Sequence, residues 1–249
     1  EYQTLTLHTL NVVRSGSKQN RLKPDAIKLL QREEDMDQAL YDGTVTALVV
    51  LDDIQVGDII DYSYSITGAN PVFANNFVTQ FGLGFSSSIA RVRHRIITPT
   101  GRTLNARSVA GDFNPVVSTK GGYREYLWDQ RNTTALEYED GAPAWHDQTP
   151  YVSVSEFETW ADVANWALPM YTAPAVSSLS PALKTKIDEL RAIPDPAKRV
   201  LAAVEFVQDG VRYFGVELGT GSHKPRHPND TFATRYGDCK DKALLLVSL

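Results

Sequence analysis

Near the end of the chain, Asp238-Cys239-Lys240-Asp241-Lys242 sets the sole cysteine among charges, just ahead of the apolar run Leu244-Leu245-Leu246-Val247. A charged cluster followed by an apolar run predicts a helix that starts here and enters a core. Asp238 suits the N-cap, and Asp241, three residues on, suits the reciprocal position of a capping box. Cys239 then falls in the first turn, where backbone N–H groups point outward without intrahelical partners. That positive end favours a thiolate, the nucleophilic form of cysteine. A lone cysteine is more often a small buried hydrophobe. The aspartates and lysines around this one argue for an exposed or cleft position.

The elements that would position it come from 249 residues, of which 42% are apolar and 22% charged, with a net charge of −5. That length suggests two domains or one large one, with a sizeable core. The acidic balance lacks the basic excess of a nucleic-acid-binding protein. No stretch approaches the length of a transmembrane helix. The chain begins at Glu1 rather than at a methionine, which suggests a mature or cloned fragment. One cysteine allows no internal disulfide and no multi-cysteine zinc site.

The first 150 or so residues read mainly as strands. Leu5 and Leu7 alternate with polar residues, and Gly16 breaks the pattern. Residues 26–32 form a short apolar-to-charged stretch. Asp42-Gly43 signals a turn before the β-rich run 44–51. After a turn at Val56-Gly57-Asp58, Ile60, Tyr62, Tyr64 and Ile66 alternate as in a half-buried strand. In 89–98, Ala90, Val92, His94 and Ile96 share one face, and Arg91, Arg93 and Arg95 the other. Three guanidinium groups could hold an anion, but a solvated face opposite acidic residues explains them more simply. His94 reads as a core-facing histidine with a hydrogen-bond partner. Pro99-Thr100-Gly101 is expected to close a hairpin into a strand around Leu104, and 123–128 to pair with 134–138. Repeated strands and turns of this kind predict an antiparallel β-sandwich or a large twisted sheet.

From about Ser155 the period becomes helical. Ser155 and Glu158 form a candidate capping box, with Phe157, Trp160, Val163, Ala164 and Leu168 at helical spacing. Trp160 and Trp166 read as packing anchors. Ser180-Pro181 starts a second helix facing inward through Leu183, Ile187 and Leu190. Asp195-Pro196 starts a third, with Val200, Leu201, Val204 and Val207 inward and Gly210 at its end. Residues 211–218 are strand-like. Gly219-Thr220-Gly221 lacks the lysine and serine of a phosphate loop. Asn229 is a candidate cap for a short helix ending near Tyr236. The change of character puts a boundary within 140–156.

Two phrases, Val211-Arg-Tyr-Phe-Gly-Val-Glu-Leu-Gly-Thr-Gly-Ser-His-Lys-Pro and Arg235-Tyr-Gly-Asp-Cys-Lys-Asp-Lys-Ala, closely resemble bacterial transglutaminase-like proteins of the papain-like cysteine enzymes. Leu40-Tyr-Asp-Gly-Thr, Val56-Gly-Asp and Asp61-Tyr-Ser-Tyr-Ser-Ile resemble the β-rich domain of unknown function that often precedes such a core. The fold expected is therefore α+β: an antiparallel β-sandwich-like domain over 1–152, then the helical first half of a transglutaminase-like domain over 153–249.

The resemblance implies Cys239 as a nucleophile that attacks an amide carbonyl of a protein or peptide, forming a thioester resolved by an amine or water. It implies no cofactor and no metal. The histidine and acid that such chemistry needs lie downstream of the cysteine in the family. Here the chain ends ten residues after Cys239. The expectation is an incomplete domain, inactive as it stands and prone to self-association through residues 243–249. Tyr213 and His223 are candidates for the cleft or oxyanion site, and His223 or His227 for a substitute base. Packing and loop structure are their plainer roles, and the backbone N–H of Cys239 is the better oxyanion donor. Family habit implies a periplasmic or envelope location, with the cytoplasm as the alternative. A non-catalytic binding or scaffold protein on the same fold, or a structural envelope protein, remains the rival reading.

Overall fold

A computed structural model of the chain describes residues 2–31, 36–41, 43–143 and 145–249. Arg32 and Asp42, placed from sequence in a short stretch and a turn, lie outside these. Among the described residues five α-helices mix with sheets that are mostly antiparallel. The chain forms two compact units, Glu1–Val72 with Ala167–Leu249, and Phe73–Trp166.

In the first unit, β1 (Thr4–Arg14) turns through Ser15 and Gly16, both at positive φ, into β2 (Ser17–Asn20). The break at Gly16 is thus a hairpin. β3 (Ile27–Gln31), β4 (Leu40–Tyr41) and β5 (Val45–Val49) follow, β3 pairing antiparallel with β5. Gly57, at φ +96, makes the expected turn into β6 (Ile59–Thr67). Arg14 fastens this turn through Nε and Nη2, each 2.8 Å from the Asp58 carboxylate. β6 pairs antiparallel with β1, setting Leu5 opposite Ile66, Leu7 opposite Tyr64, Leu10 opposite Tyr62 and Val12 opposite Ile60. The alternation is real, but the burial expected of β6 is not. Leu10 and Val12 are covered, whereas Ile60, Tyr62, Tyr64 and Ile66 are 44–60% exposed.

The second unit holds β7 (Val78–Gly82), β8 (Ile89–Pro99), β9 (Asn105–Val109), β10 (Val116–Lys120), β11 (Tyr123–Thr133) and β12 (Tyr151–Ser155). They form two antiparallel sheets, ordered β10-β11-β8 and β7-β12-β9. Leu83, Val92, Leu104, Tyr126, Trp128, Val152 and Val154, drawn from both sheets, make one core. The expected hairpin at Pro99-Thr100-Gly101 does not form, because β9 leaves to pair with β12. β11 pairs with β10 across Gly121-Gly122 instead, and residues 134–138 form no strand. Sequence patterning missed β10 because all five of its residues are exposed and none marks an inner face. The arginine stripe is a solvated face: Arg91 pairs with Asp129 and Arg95 with Glu125. His94 stacks on Phe81 at 4.0 Å. Burial lowers its pKa, against a hydrogen bond to the Gly82 backbone.

Ser155 ends β12 rather than capping a helix. Glu156 binds the Phe77 N–H and Arg102. The first helix, α1 (Trp160–Tyr171), is capped one turn later, where Thr159 and Asp162 exchange backbone-to-side-chain bonds of 2.8 and 3.2 Å. Trp166 packs on Phe73, whereas Trp160, also expected as a packing anchor, is exposed.

Back in the first unit, α2 (Pro181–Arg191) is capped by Ser180 and buries Leu183, Ile187 and Leu190 as expected. α3 (Pro196–Gly210) is capped by Asp195, but its buried residues are Ala203 and Val207. Val200 and Leu201, expected inward, are exposed. Residues 211–218 do not make one strand. β13 (Arg212–Tyr213) and β14 (Gly215–Val216) diverge at Phe214, and β14 runs parallel to β4. α4 (Pro228–Thr234), β15 (Tyr236–Gly237) and α5 (Cys239–Ser248) complete the chain. Leu245 of α5 joins Leu183, Ile187, Val207, Val211 and Phe232 in the helical core.

Candidate functional site

The start of α5 is placed by the turn before it. α4 is capped by His227, whose Nδ1 accepts the Asn229 N–H at 3.2 Å, so Asn229 is not the cap. The Asn229 side chain instead takes the Ser180 N–H at 2.8 Å, tying α4 to the head of α2. Arg235 ends α4 in the left-handed region at φ 58, and its guanidinium lies over the rings of Phe232 and Phe206. β15 then pairs parallel with β13, setting Tyr213 opposite Gly237. A Cβ at Gly237 would lie 2.6 Å from that of Asp241, so glycine alone lets the strand pass the helix so closely.

Asp238 is the N-cap, as its position in the sequence predicts. Its Oδ1 accepts the N–H groups of Lys240 at 3.0 Å and Asp241 at 3.2 Å. Asp241 does not close the capping box. It turns to Arg226, accepting its backbone N–H and its Nε, each at 2.8 Å. Arg226 also donates to the Tyr236 carbonyl and lies over the Tyr236 ring. Both acidic flanks of the cysteine are thereby buried and engaged, while Cys239 itself, first residue of the helix, is exposed. The cap takes up the amides of Lys240 and Asp241 and leaves that of Cys239 at the helix end.

Lys240, the residue after the exposed cysteine, is buried. Its ammonium binds Asp238 Oδ2 and stands 3.2 Å from Glu217 Oε1. Burial alone would lower its pKa, but the hydrogen bonds and charges of Asp238 and Glu217 together raise it. Two further groups feel this cluster. His223, at the end of the short turn Gly219–Ser222, has its Nδ1 2.8 Å from Ser222 Oγ. Burial and then the Lys240 charge lower its pKa, with Glu217 opposing. The Tyr171 hydroxyl donates to the His223 carbonyl at 3.1 Å. Burial raises its pKa; Lys240 opposes this, and Cys239, Asp238 and Asp241 add to it.

The fold thus brings His223 into the field of the residue after Cys239, and Tyr213 alongside the strand that leads into it. Tyr213 is half exposed. His227 is taken up by its helix cap. Sequence reasoning passed over Tyr171, Glu217 and Arg226. Nothing local marks Tyr171, which ends α1 just after Pro169-Met170. Glu217 lies within the stretch that carries the resemblance and Arg226 just beyond it, yet only folding shows which charges they meet. Among the described residues no group of His, Cys, Asp or Glu side chains is arranged to hold a metal ion. None of the described helices is long and apolar enough to cross a membrane.

A family model, DUF3857, described as a "Domain of Unknown Function with solved-structure structure", matches residues 1–137. No curated protein matches the chain. Among solved structures, the chain is similar to that of "a putative protease" from Parabacteroides distasonis ATCC 8503, at 17% identity with a TM-score of 0.77. That match covers 99% of this chain and 48% of the other, so the chain spans about half the length of the solved structure. At this identity the likeness is one of fold.

Proposed function

The chain belongs to the DUF3857 family, and from that premise we propose that it carries the nucleophile of a cysteine-dependent enzyme acting on protein or peptide amides. In this reading residues 1–152 are a β-sandwich-like accessory domain, and 153–249 are the first part of a transglutaminase-like domain. The observation that carries it is the exposure of Cys239 at the first position of a helix whose flanking carboxylates are both buried. The helix terminus is electropositive and offers the Cys239 amide to a developing oxyanion. The proposed histidine takes the proton of the Cys239 thiol; the thiolate attacks the carbonyl carbon of the substrate amide, and the amine leaves with that same proton from the histidine. Water or a second amine then attacks the thioester, returning the thiolate. The naming of the Parabacteroides protein as a protease accords with the hydrolytic branch.

The histidine and acid of this chemistry are proposed to lie in the part of the whole protein that corresponds to the unmatched half of the solved structure. His223 and Tyr213 are proposed to line the cleft. The location proposed is the bacterial envelope.

The test uses the complete protein with a peptide-amide substrate and a peptidyl electrophile. Amide turnover should fall about a thousandfold or more in Cys239→Ser, and intact mass should show one adduct in the native chain and none in the variant. Turnover unchanged in the variant would reject the nucleophile. A chain with no turnover and no adduct would favour the scaffold reading.

A further inference from the structure

The sheet β2-β1-β6 has two unlike edges. β2 is four residues long, polar throughout, and carries Lys18. Short, charged edges are how proteins discourage strand addition. β6 is neither short nor basic, and its one charge, Asp61, is taken up by Lys18. It is nine residues long, lacks lysine, arginine and proline, and among the described residues no strand pairs with its outer side. One face bears Ile60, Tyr62, Tyr64 and Ile66, all substantially exposed, with the two tyrosine rings stacked at 6.2 Å.

The sequence of this edge is nearly symmetric about Ser63. Reading outward in both directions gives Tyr62 and Tyr64, Asp61 and Ser65, Ile60 and Ile66, then Ile59 and Thr67. Antiparallel pairing of β6 with its own copy about a two-fold axis at Ser63 therefore matches like with like. Tyrosine meets tyrosine and isoleucine meets isoleucine on one face. Asp61, the strand's sole charge, meets Ser65 of the other copy and is already paired with Lys18 at 2.9 Å. No like charges face each other. Two-fold contacts require this kind of self-complementarity, and opposed aromatic and β-branched pairs are what stabilise an antiparallel ladder.

We infer that β6 is the edge through which two copies of this chain join, making one continuous six-stranded sheet. The occupant is a second copy rather than an unrelated strand, because the symmetry about Ser63 matches like residues when the strand runs against itself.

The edge is tested by a cross-link at the axis. In the Cys239→Ser background, Ser63→Cys places two thiols at positions directly opposed in an antiparallel ladder. Their Cα atoms would stand about 4.5 or 5.5 Å apart, within disulfide reach. Oxidised glutathione should convert the protein to a disulfide-linked dimer, whereas Thr67→Cys, whose two thiols would lie at opposite ends of the ladder, should gain almost no disulfide-linked species. By light scattering, the native chain should be a dimer and Tyr62→Lys/Tyr64→Lys a monomer of unchanged circular dichroism. Mixing that variant with Tyr62→Glu/Tyr64→Glu should restore a heterodimer. A native chain monomeric at 100 μM, a dimer indifferent to the paired lysines, or a monomer whose outer β6 amides exchange slowly would overturn the inference. The last result would show that another segment of the same chain covers the edge.

Discussion

Arg226 grips the carboxylate of Asp241 at both ends: its backbone N–H reaches Oδ1 and its Nε reaches Oδ2, each at 2.8 Å. The pair joins the loop before α4 to the first turn of α5, two residues from Cys239. Asp241 is 5% exposed, so its charge has almost no water to fall back on. Removing one member of such a pair strands the other. Arg226→Met, which leaves the buried Asp241 carboxylate with only the backbone N–H, should lose about 3 kcal/mol of unfolding free energy, read from urea titration at pH 7. A loss under about 0.5 kcal/mol, ordinary for a surface pair, would show that the contact does not hold the turn.

Lys240 poses the opposite arrangement, one ammonium shared between Asp238 and Glu217. Lys240→Met keeps the stem and leaves the buried Asp238 carboxylate without its counter-charge. About 2 kcal/mol should be lost, less than for a fully buried pair because Glu217 is a third exposed. The raised pKa also fixes the sign with pH. The ammonium's contribution is complete below the ordinary value of 10.5 and fades as pH climbs through the higher folded value. The stability gap between native and variant should stay constant from pH 7 to 10 and narrow above. A gap that widened with pH would contradict this.

His223 offers a local reading of the same cluster. Burial and the Lys240 charge both lower its pKa from 6.5, so the imidazole is neutral at pH 7. Its NMR titration should have a midpoint below 6.5, and stability should decline as pH falls from 6.5 towards that midpoint. In Lys240→Met the midpoint should rise, since one of the two lowering influences is gone. An unmoved midpoint would mean that Lys240 exerts no field at the imidazole.

At the other end of the unit, Arg14 and then the Gln55 N–H pull the pKa of Asp58 down to about 2. A lowered carboxylate pKa stabilises above its unfolded value of 3.8 and ceases to as pH falls from there to about 2. Acid unfolding of the native chain should be steeper in this window than that of Asp58→Asn. Parallel curves would show that the carboxylate contributes no pH dependence.

Several parts of the fold were legible in the order of residues. Ser180-Pro181, Asp195-Pro196 and Asp238 announce helix starts because a side-chain oxygen can reach an orphan N–H two or three residues on. The turns at Gly16 and Gly57 were equally plain, since both glycines adopt positive φ. Where strands find partners far away in sequence, local pattern misled. β9 follows a tight turn yet pairs with β12, and the strand expected over 211–218 splits because β13 and β14 answer to different neighbours, β15 and β4. Val200 and Leu201 occupy positions that a helical wheel assigns to the core, yet no element among the described residues covers them.

At the candidate site the division is similar. The residue types and spacing around Cys239 determined a capped helix with its thiol in the first turn. That is a matter of backbone bonds over three residues, and it holds wherever the helix is packed. Only the tertiary structure decided what the neighbouring charges do. Asp241 looked like the partner of Asp238 and became that of Arg226. Lys240, one of the charges that pointed to an exposed or cleft position for the cysteine, is itself buried. Such choices depend on which distant carboxylate or guanidinium arrives at the helix end, because a buried charge binds the counter-charge that folding brings within reach.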